Sequence, residues 1–203
     1  MSLANYITLS RLPLLLLVVA LLYMPWPGTK FAALGLLPIL YLMDWLDGYV
    51  ARQKNQVTDL GSVLDIAIDR VVENVLWIVF AHQGRVPVWI PILFIIRSFV
   101  IDAVRSFALS RGRSAFGMMR SRWGRFLVAG RFMRGLYGLA KGAAFGALAL
   151  NSGLMALGPA GNATLAWSLP VEWILVYLAV ALCLVRAVPV LLDLRQLLEV
   201  PPE

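Results

Sequence analysis

Cysteine, histidine and charge are all scarce in this chain. Its 203 residues include one cysteine, Cys183, and one histidine, His82. An internal disulfide and a CxxC pair are therefore excluded. No Walker glycine loop or Ser-His-Asp arrangement is apparent either. Charged residues make up 14% of the chain, against about 25% in soluble proteins. Hydrophobic residues reach 61%, and the mean hydropathy is +0.80. Such a chain is an all-α integral membrane protein.

Spans of about 20 apolar residues cross the hydrocarbon. Leu12 to Thr29 and Gly142 to Val171 carry no charge, and shorter uncharged runs lie at 31–43, 86–96 and 173–185. Together they predict six transmembrane helices, near 6–25, 31–53, 60–82, 87–109, 126–150 and 168–192. The helices follow one another too closely for a separate soluble domain, so residues 1–203 form a single membrane domain. The first run has one basic residue ahead of it, Arg11, and no small-residue cleavage site before Pro25 to Pro27. It reads as a retained span and not a signal peptide.

The formal net charge is +7, which would suit nucleic acid, but its distribution points elsewhere. Nine of the eighteen Lys and Arg residues fall between Arg97 and Arg134, and the 153–165 stretch has none. Basic connections mark the cytoplasmic side of a bilayer. Arg52, Lys54, Arg111, Arg113, Arg120, Arg122 and Arg125 thus face the cytoplasm, with both termini. On this reading Arg111, Arg113, Arg120 and Arg122 form a surface for anionic headgroups. Trp26, Trp77, Trp89, Trp167 and Trp173 fall near the outer span ends, as an aromatic belt does, and His82 is an interfacial residue there.

Against this background the acids are concentrated. Residues 44–69, DWLDGYVARQKNQVTDLGSVLDIAID, hold five of the seven aspartates. An ionised aspartate at mid-bilayer costs about 2.5 to 3.5 kcal/mol, so something compensates. Asp44, Asp47, Gly48, Ala51 and Arg52 share one stripe of the second helix, and Gly61, Asp65 and Asp69 share one stripe of the third. The polar turn at 53–58 makes these helices antiparallel neighbours, with Asp59 as a cap. Four carboxylates then converge while Gly48, Ala51 and Gly61 leave space beside them. Two outcomes are consistent with this. The acids could pair with Arg52, Arg70, Arg97 or Arg105 in structural salt bridges. Alternatively they hold hard divalent cations, which take oxygen ligands together with substrate phosphates.

Written as Asp44-x2-Asp47-Gly48-x2-Ala51-Arg52-x8-Gly61-x3-Asp65-x3-Asp69, the stretch resembles the signature of the CDP-alcohol phosphotransferases, membrane enzymes that make phospholipids. The resemblance implies a six-helix bundle with its active site at the cytoplasmic end, in the inner membrane of a prokaryote. It implies that Asp44, Asp47, Asp65 and Asp69 bind Mg2+ or Mn2+, two ions per site, and that Asp69 is the general base. It also implies that Gly48, Ala51, Arg52 and Gly61 contact the CDP moiety of CDP-diacylglycerol, and that the chain forms a homodimer.

The acceptor is read from the basic region. Arg97 and Arg105 share a face of the fourth helix, and Arg125, Arg131 and Arg134 open the fifth. Arg forks suit phosphate oxygens, which favours a phosphorylated alcohol over serine, ethanolamine or choline. Arg97-x7-Arg105, then Arg111-Gly112-Arg113, and the opening Asn5-Tyr-Ile-Thr8-Leu-Ser-Arg11, look like segments of bacterial phosphatidylglycerophosphate synthases, which use glycerol 3-phosphate. Two features depart from that pattern. Leu127 stands where a second cation after Gly124-Arg125 is expected, and Asp69 is followed by Arg70 and Glu73, closer to inositol-phosphate relatives. Glycerol 3-phosphate is the expected acceptor and an inositol phosphate the alternative. From another class, a cation transporter would also carry intramembrane acids.

Overall fold

The computed structural model describes residues 3–53, 59–110, 126–127 and 130–198. For residues 3–4, 45, 47–53, 59–60, 62, 105, 108–110, 131 and 193–198 that description covers the backbone alone. Among the described residues there are six α-helices and no strand: α1 (Leu3–Tyr23), α2 (Pro27–Gln53), α3 (Asp59–His82), α4 (Trp89–Ser110), α5 (Arg131–Ala156) and α6 (Asn162–Leu198). The expected number of helices is met. The shortest has 21 residues, about 31 Å at 1.5 Å per residue, which matches the hydrocarbon thickness of about 30 Å.

Two stretches are long and apolar enough to cross a membrane by composition alone, Asn5–Tyr23 and Gly158–Leu192. The other helices are diluted by charge: Asp44 and Asp47 in α2, Asp65, Asp69, Arg70 and Glu73 in α3, Arg97, Asp102 and Arg105 in α4, Arg131, Arg134 and Lys141 in α5. Large apolar side chains are exposed on α1, α3, α4, α5 and α6, among them Leu16, Ile78, Phe99, Leu139 and Ile174. Helices with apolar outer faces are solvated by lipid, and this is a membrane protein.

The chain divides into two compact units, Met1–Val88 with Gly142–Trp173, and Trp89–Lys141 with Ile174–Glu203. In the first, α1 packs along α2 and α3. Trp77 does not join an interfacial belt, contrary to expectation. It is fully buried and packs on Phe145 with ring centroids 4.6 Å apart, while Phe80 stacks on the same ring. Trp26, Trp89 and Trp167 are exposed as expected.

The last two helices also run differently from the expected 126–150 and 168–192. α5 continues to Ala156, and α6 begins at Asn162 after a 3-10 turn over Gly158–Gly161. Gly158 takes a left-handed backbone (φ 63°). A Cβ on Gly161 would meet the Leu154 carbonyl oxygen at 2.2 Å. Two glycines around Pro159 thus compress the expected 153–165 connection into one turn.

A buried polar group ties the turn to α3. Glu172 accepts hydrogen bonds from Arg85 Nη2 and from Asn151 Nδ2 (2.9 Å), and Ser168 Oγ donates to Asn151 Oδ1 (2.6 Å). Glu172 is 1% exposed. Removing one partner of such a pair strands the other, at about 3–5 kcal/mol. Glu172→Ala is therefore expected to lower the unfolding temperature of the detergent-solubilised protein substantially, and Glu172→Gln, which retains an acceptor, to lower it less. Equal temperatures for all three proteins would contradict this account.

Candidate active site

The site grows out of the packing seam of the first unit. α1 buries Asn5, Thr8, Arg11, Leu15, Val18 and Leu22, each three or four residues from the next, so they line one face. The buried stripe of α2 runs Ala33, Leu37 and Leu40, and its next step lands on Asp44. The stripe of α3 runs back from Phe80 through Leu76, Val72 and Ile68 toward Asp69 and Asp65. Each of the three seams is apolar at one end and polar at the other. The acids of α2 and α3 are thereby brought to the polar end of α1.

Arg11 is the centre of that end. Its side chain is 1% exposed, and three carboxylates close on it: Asp44 Oδ1 at 2.6 Å and Asp65 Oδ1 at 3.6 Å from Nη1, and Asp69 Oδ1 at 2.9 Å from Nη2. The carboxylates remain accessible, at 37%, 49% and 51% exposure. A guanidinium offers a fork of donors that can serve two carboxylates at once. A lysine there could not hold the same pair in fixed geometry.

Among the described side chains the counter-ion is one outside the four considered, and those of Arg52 and Arg105 lie outside the described residues. Arg70, one of the four cations considered, pairs with Glu73 along its own helix at 3.3 Å. Among the described side chains the cation on Asp44, Asp65 and Asp69 is Arg11, which the spacing of acids alone did not bring forward. The signal for it was the buried periodicity Asn5, Thr8, Arg11, Leu15. A lone arginine on the packing face of an otherwise apolar helix has to find acids.

Gly61 lies in the first turns of α3 and is half-buried. Asp47, Gly48, Ala51 and Arg52 belong to α2, Arg105 to α4 and Arg131 to the start of α5; their side chains lie outside the described residues, as does all of Arg125 with Arg111, Arg113, Arg120 and Arg122. In the second unit Arg134 is exposed on α5, whereas Arg97 is buried. Arg97 lies over the Tyr137 ring at 5.5 Å, with Lys141 at 4.4 Å and Arg186 at 5.3 Å from the same centroid. Arg186 Nη1 also donates to the Leu127 carbonyl at 2.9 Å. Arg186 is a further cation that the acceptor reading had not included. Cation–π contact gathers the three around one aromatic ring.

Three carboxylates against one guanidinium leave an excess of negative charge when all are ionised. Such sites attract further cations, and an all-oxygen, half-open donor set fits a hard divalent ion. Among the described residues the carboxylates do not close a metal cage by themselves. Their nearest oxygens are turned to Arg11, and Asp47, the fourth acid of the pattern, is outside the described side chains.

The CDP-alcohol phosphatidyltransferase family model matches residues 1–185. The chain is 30% identical over 125 residues to the CDP-diacylglycerol--glycerol-3-phosphate 3-phosphatidyltransferase of Pseudomonas fluorescens, covering 61% of this chain and 64% of that one. It is 31% identical over 131 residues to the Haemophilus influenzae protein of the same name, covering 63% and 70%. A putative cardiolipin synthase of Mycobacterium tuberculosis is 39% identical over 72 residues, 36% of this chain and 34% of that one. With the family model covering most of its length and the acid pattern complete, this chain belongs to the CDP-alcohol phosphatidyltransferase family.

Proposed function

We propose that the protein transfers the phosphatidyl group of CDP-diacylglycerol to glycerol 3-phosphate, giving phosphatidylglycerophosphate and CMP. The observation that carries this reading is the convergence of Asp44, Asp65 and Asp69 on buried Arg11, at the positions of the family pattern. The names of the Pseudomonas and Haemophilus relatives support glycerol 3-phosphate as acceptor. So do the three cations around Tyr137, since Arg97 with Lys141 and Arg186 suits a phosphorylated alcohol. The family match favours transfer chemistry over the cation-transporter reading.

In this reaction the acceptor hydroxyl oxygen forms a bond to the lipid-side phosphorus of the diphosphate. The phosphorus–oxygen bond to CMP breaks, and CMP departs with the electron pair. Asp69 takes the hydroxyl proton as general base. Its Oδ1 is held by Arg11 while half of the side chain is open, so orientation is fixed and access kept. Arg11 acts as a positioning residue for Asp44 and Asp69 together. Gly48, Ala51, Arg52 and Gly61 line the place of the CDP moiety. Asp44, Asp47, Asp65 and Asp69 would hold two Mg2+ or Mn2+ ions, which supply charge neutralisation for the diphosphate and the leaving CMP.

In the same reading all six helices cross the inner membrane of a prokaryote, with both termini and the acid cluster cytoplasmic, in a single domain that pairs with a second copy. The helix lengths and the basic 97–134 region support that orientation. The exposed apolar faces of α5 and α6 support a helix–helix interface.

Purified protein with CDP-diacylglycerol and Mg2+ or Mn2+ is expected to release CMP with glycerol 3-phosphate, and not with serine or free inositol. Release that depends on inositol 1-phosphate alone would overturn the acceptor. Asp69→Asn is expected to lower turnover at least 100-fold, in line with the loss of a general base, while CDP-lipid binding is retained. Near-parental turnover would remove Asp69 from the base role.

A further inference from the structure

At the far end of the first unit's helices lies a cavity of about 430 Å3 between Lys30, Gln83, Arg85, Ser152, Leu22 and Met155. Leu22 stands eleven residues from Arg11 on α1, and Lys30 fourteen from Asp44 on α2, about 16 and 21 Å along the helix axes. The cavity is thus separate from the acid cluster.

Its cations are built in. α3 ends in a Schellman turn: Gly84 is left-handed (φ 69°), Gly84 N donates to the Ala81 carbonyl, and Arg85 N donates to the Phe80 carbonyl, both at 2.9 Å. That geometry folds Arg85 back over the end of its helix. Its Nη2 reaches buried Glu172, while Nε is buried with no hydrogen-bond partner. Lys30 Nζ donates to the Leu22 carbonyl at 3.0 Å, and Gln83 Nε2 donates to the same oxygen at 3.0 Å. An ammonium has three donors, and this one faces no carboxylate among the cavity walls. Two like charges therefore share a partly desolvated pocket, with a single acid, Glu172, behind one of them.

We propose that this cavity binds a phosphate oxyanion. A point-charge ammonium and a guanidinium together match the several oxygens of a phosphate, and an anion there relieves the repulsion between them. Exposed Tyr23, Trp26 and Trp167 lie at this end of the helices, the level at which an aromatic belt meets headgroups. A phospholipid headgroup and free phosphate present the same chemistry.

The test is native mass spectrometry of the full-length protein in detergent with dioleoyl phosphatidylglycerol, with and without inorganic phosphate, for the parent, K30Q, K30R and Q83E. Loss of one charge-assisted hydrogen bond is expected to weaken binding by at least about ten-fold in K30Q, with K30R close to the parent. Q83E places a carboxylate between the two cations and is expected to abolish the Lys30-dependent binding while raising the unfolding temperature. This variant reports even if K30Q does not fold. Displacement of the lipid by phosphate identifies a free oxyanion site, and resistance to displacement identifies a headgroup site; either supports the proposal. Parental affinity for lipid and phosphate in both K30Q and Q83E would overturn it. CMP release is expected to be unchanged in K30Q.

Discussion

A guanidinium buried in a membrane helix bundle has to be surrounded by anions, and Arg11 meets that demand with acids from two different helices. The desolvation of one ion costs several kcal/mol even after relaxation, so α2 and α3 cannot drift from α1 without exposing that cost. Asp44 and Asp69 are each bonded to a different terminal nitrogen of the same fork. One side chain thereby fixes the relative register of three helices and gathers three carboxylates of the family pattern. The acids in turn outnumber the cation, which leaves the site both assembled and electrostatically unfinished. That is the condition for attracting further cations.

The same seam separates two polar groups in the first unit. Between Arg11 and Leu22 the packing face of α1 is aliphatic, as are Leu37 and Leu40 of α2 and Ile68, Val72 and Leu76 of α3. Trp77, Phe80 and Phe145 fill the middle. In the first unit Arg11 and its three aspartates lie at one end, Lys30 and Arg85 at the other, and Glu73 with Arg70 in the middle of α3. The basic end is held by the Glu172, Asn151 and Ser168 network behind Arg85. Separation by an apolar core of about 16 to 21 Å keeps Lys30 and Arg85 from neutralising the aspartates.

Much of the site was legible because helical spacing is rigid. Asp44 and Asp47, and Asp65 and Asp69, had to share faces once the elements were helices, and the structure places Asp44, Asp65 and Asp69 together. Arg11 was harder to find, because one cation in an uncharged run reads as a flank until the buried periodicity of α1 is laid beside it. Trp77 was misplaced because hydropathy gives depth along a helix and not direction around it. Phe145, its partner, is distant in sequence. Glu172 and Arg85 met for the same reason of long-range contact. The boundaries of α5 and α6 shifted because Gly158 and Gly161 permit a tighter reversal than a composition-based loop suggests. Tyr137 as a common platform for Arg97, Lys141 and Arg186 joins three helices that no spacing rule connects.

The claim on which the rest depends is that Arg11 and the aspartates act as one unit. A double-mutant cycle on Arg11→Gln and Asp44→Asn, read by the unfolding free energy of the detergent-solubilised protein, measures this most directly. The account predicts strong non-additivity, with the double variant less damaged than the sum of the singles by about 1 kcal/mol or more. Additivity within about 0.5 kcal/mol would contradict it, and would mean that the three helices are held together by their apolar seam alone.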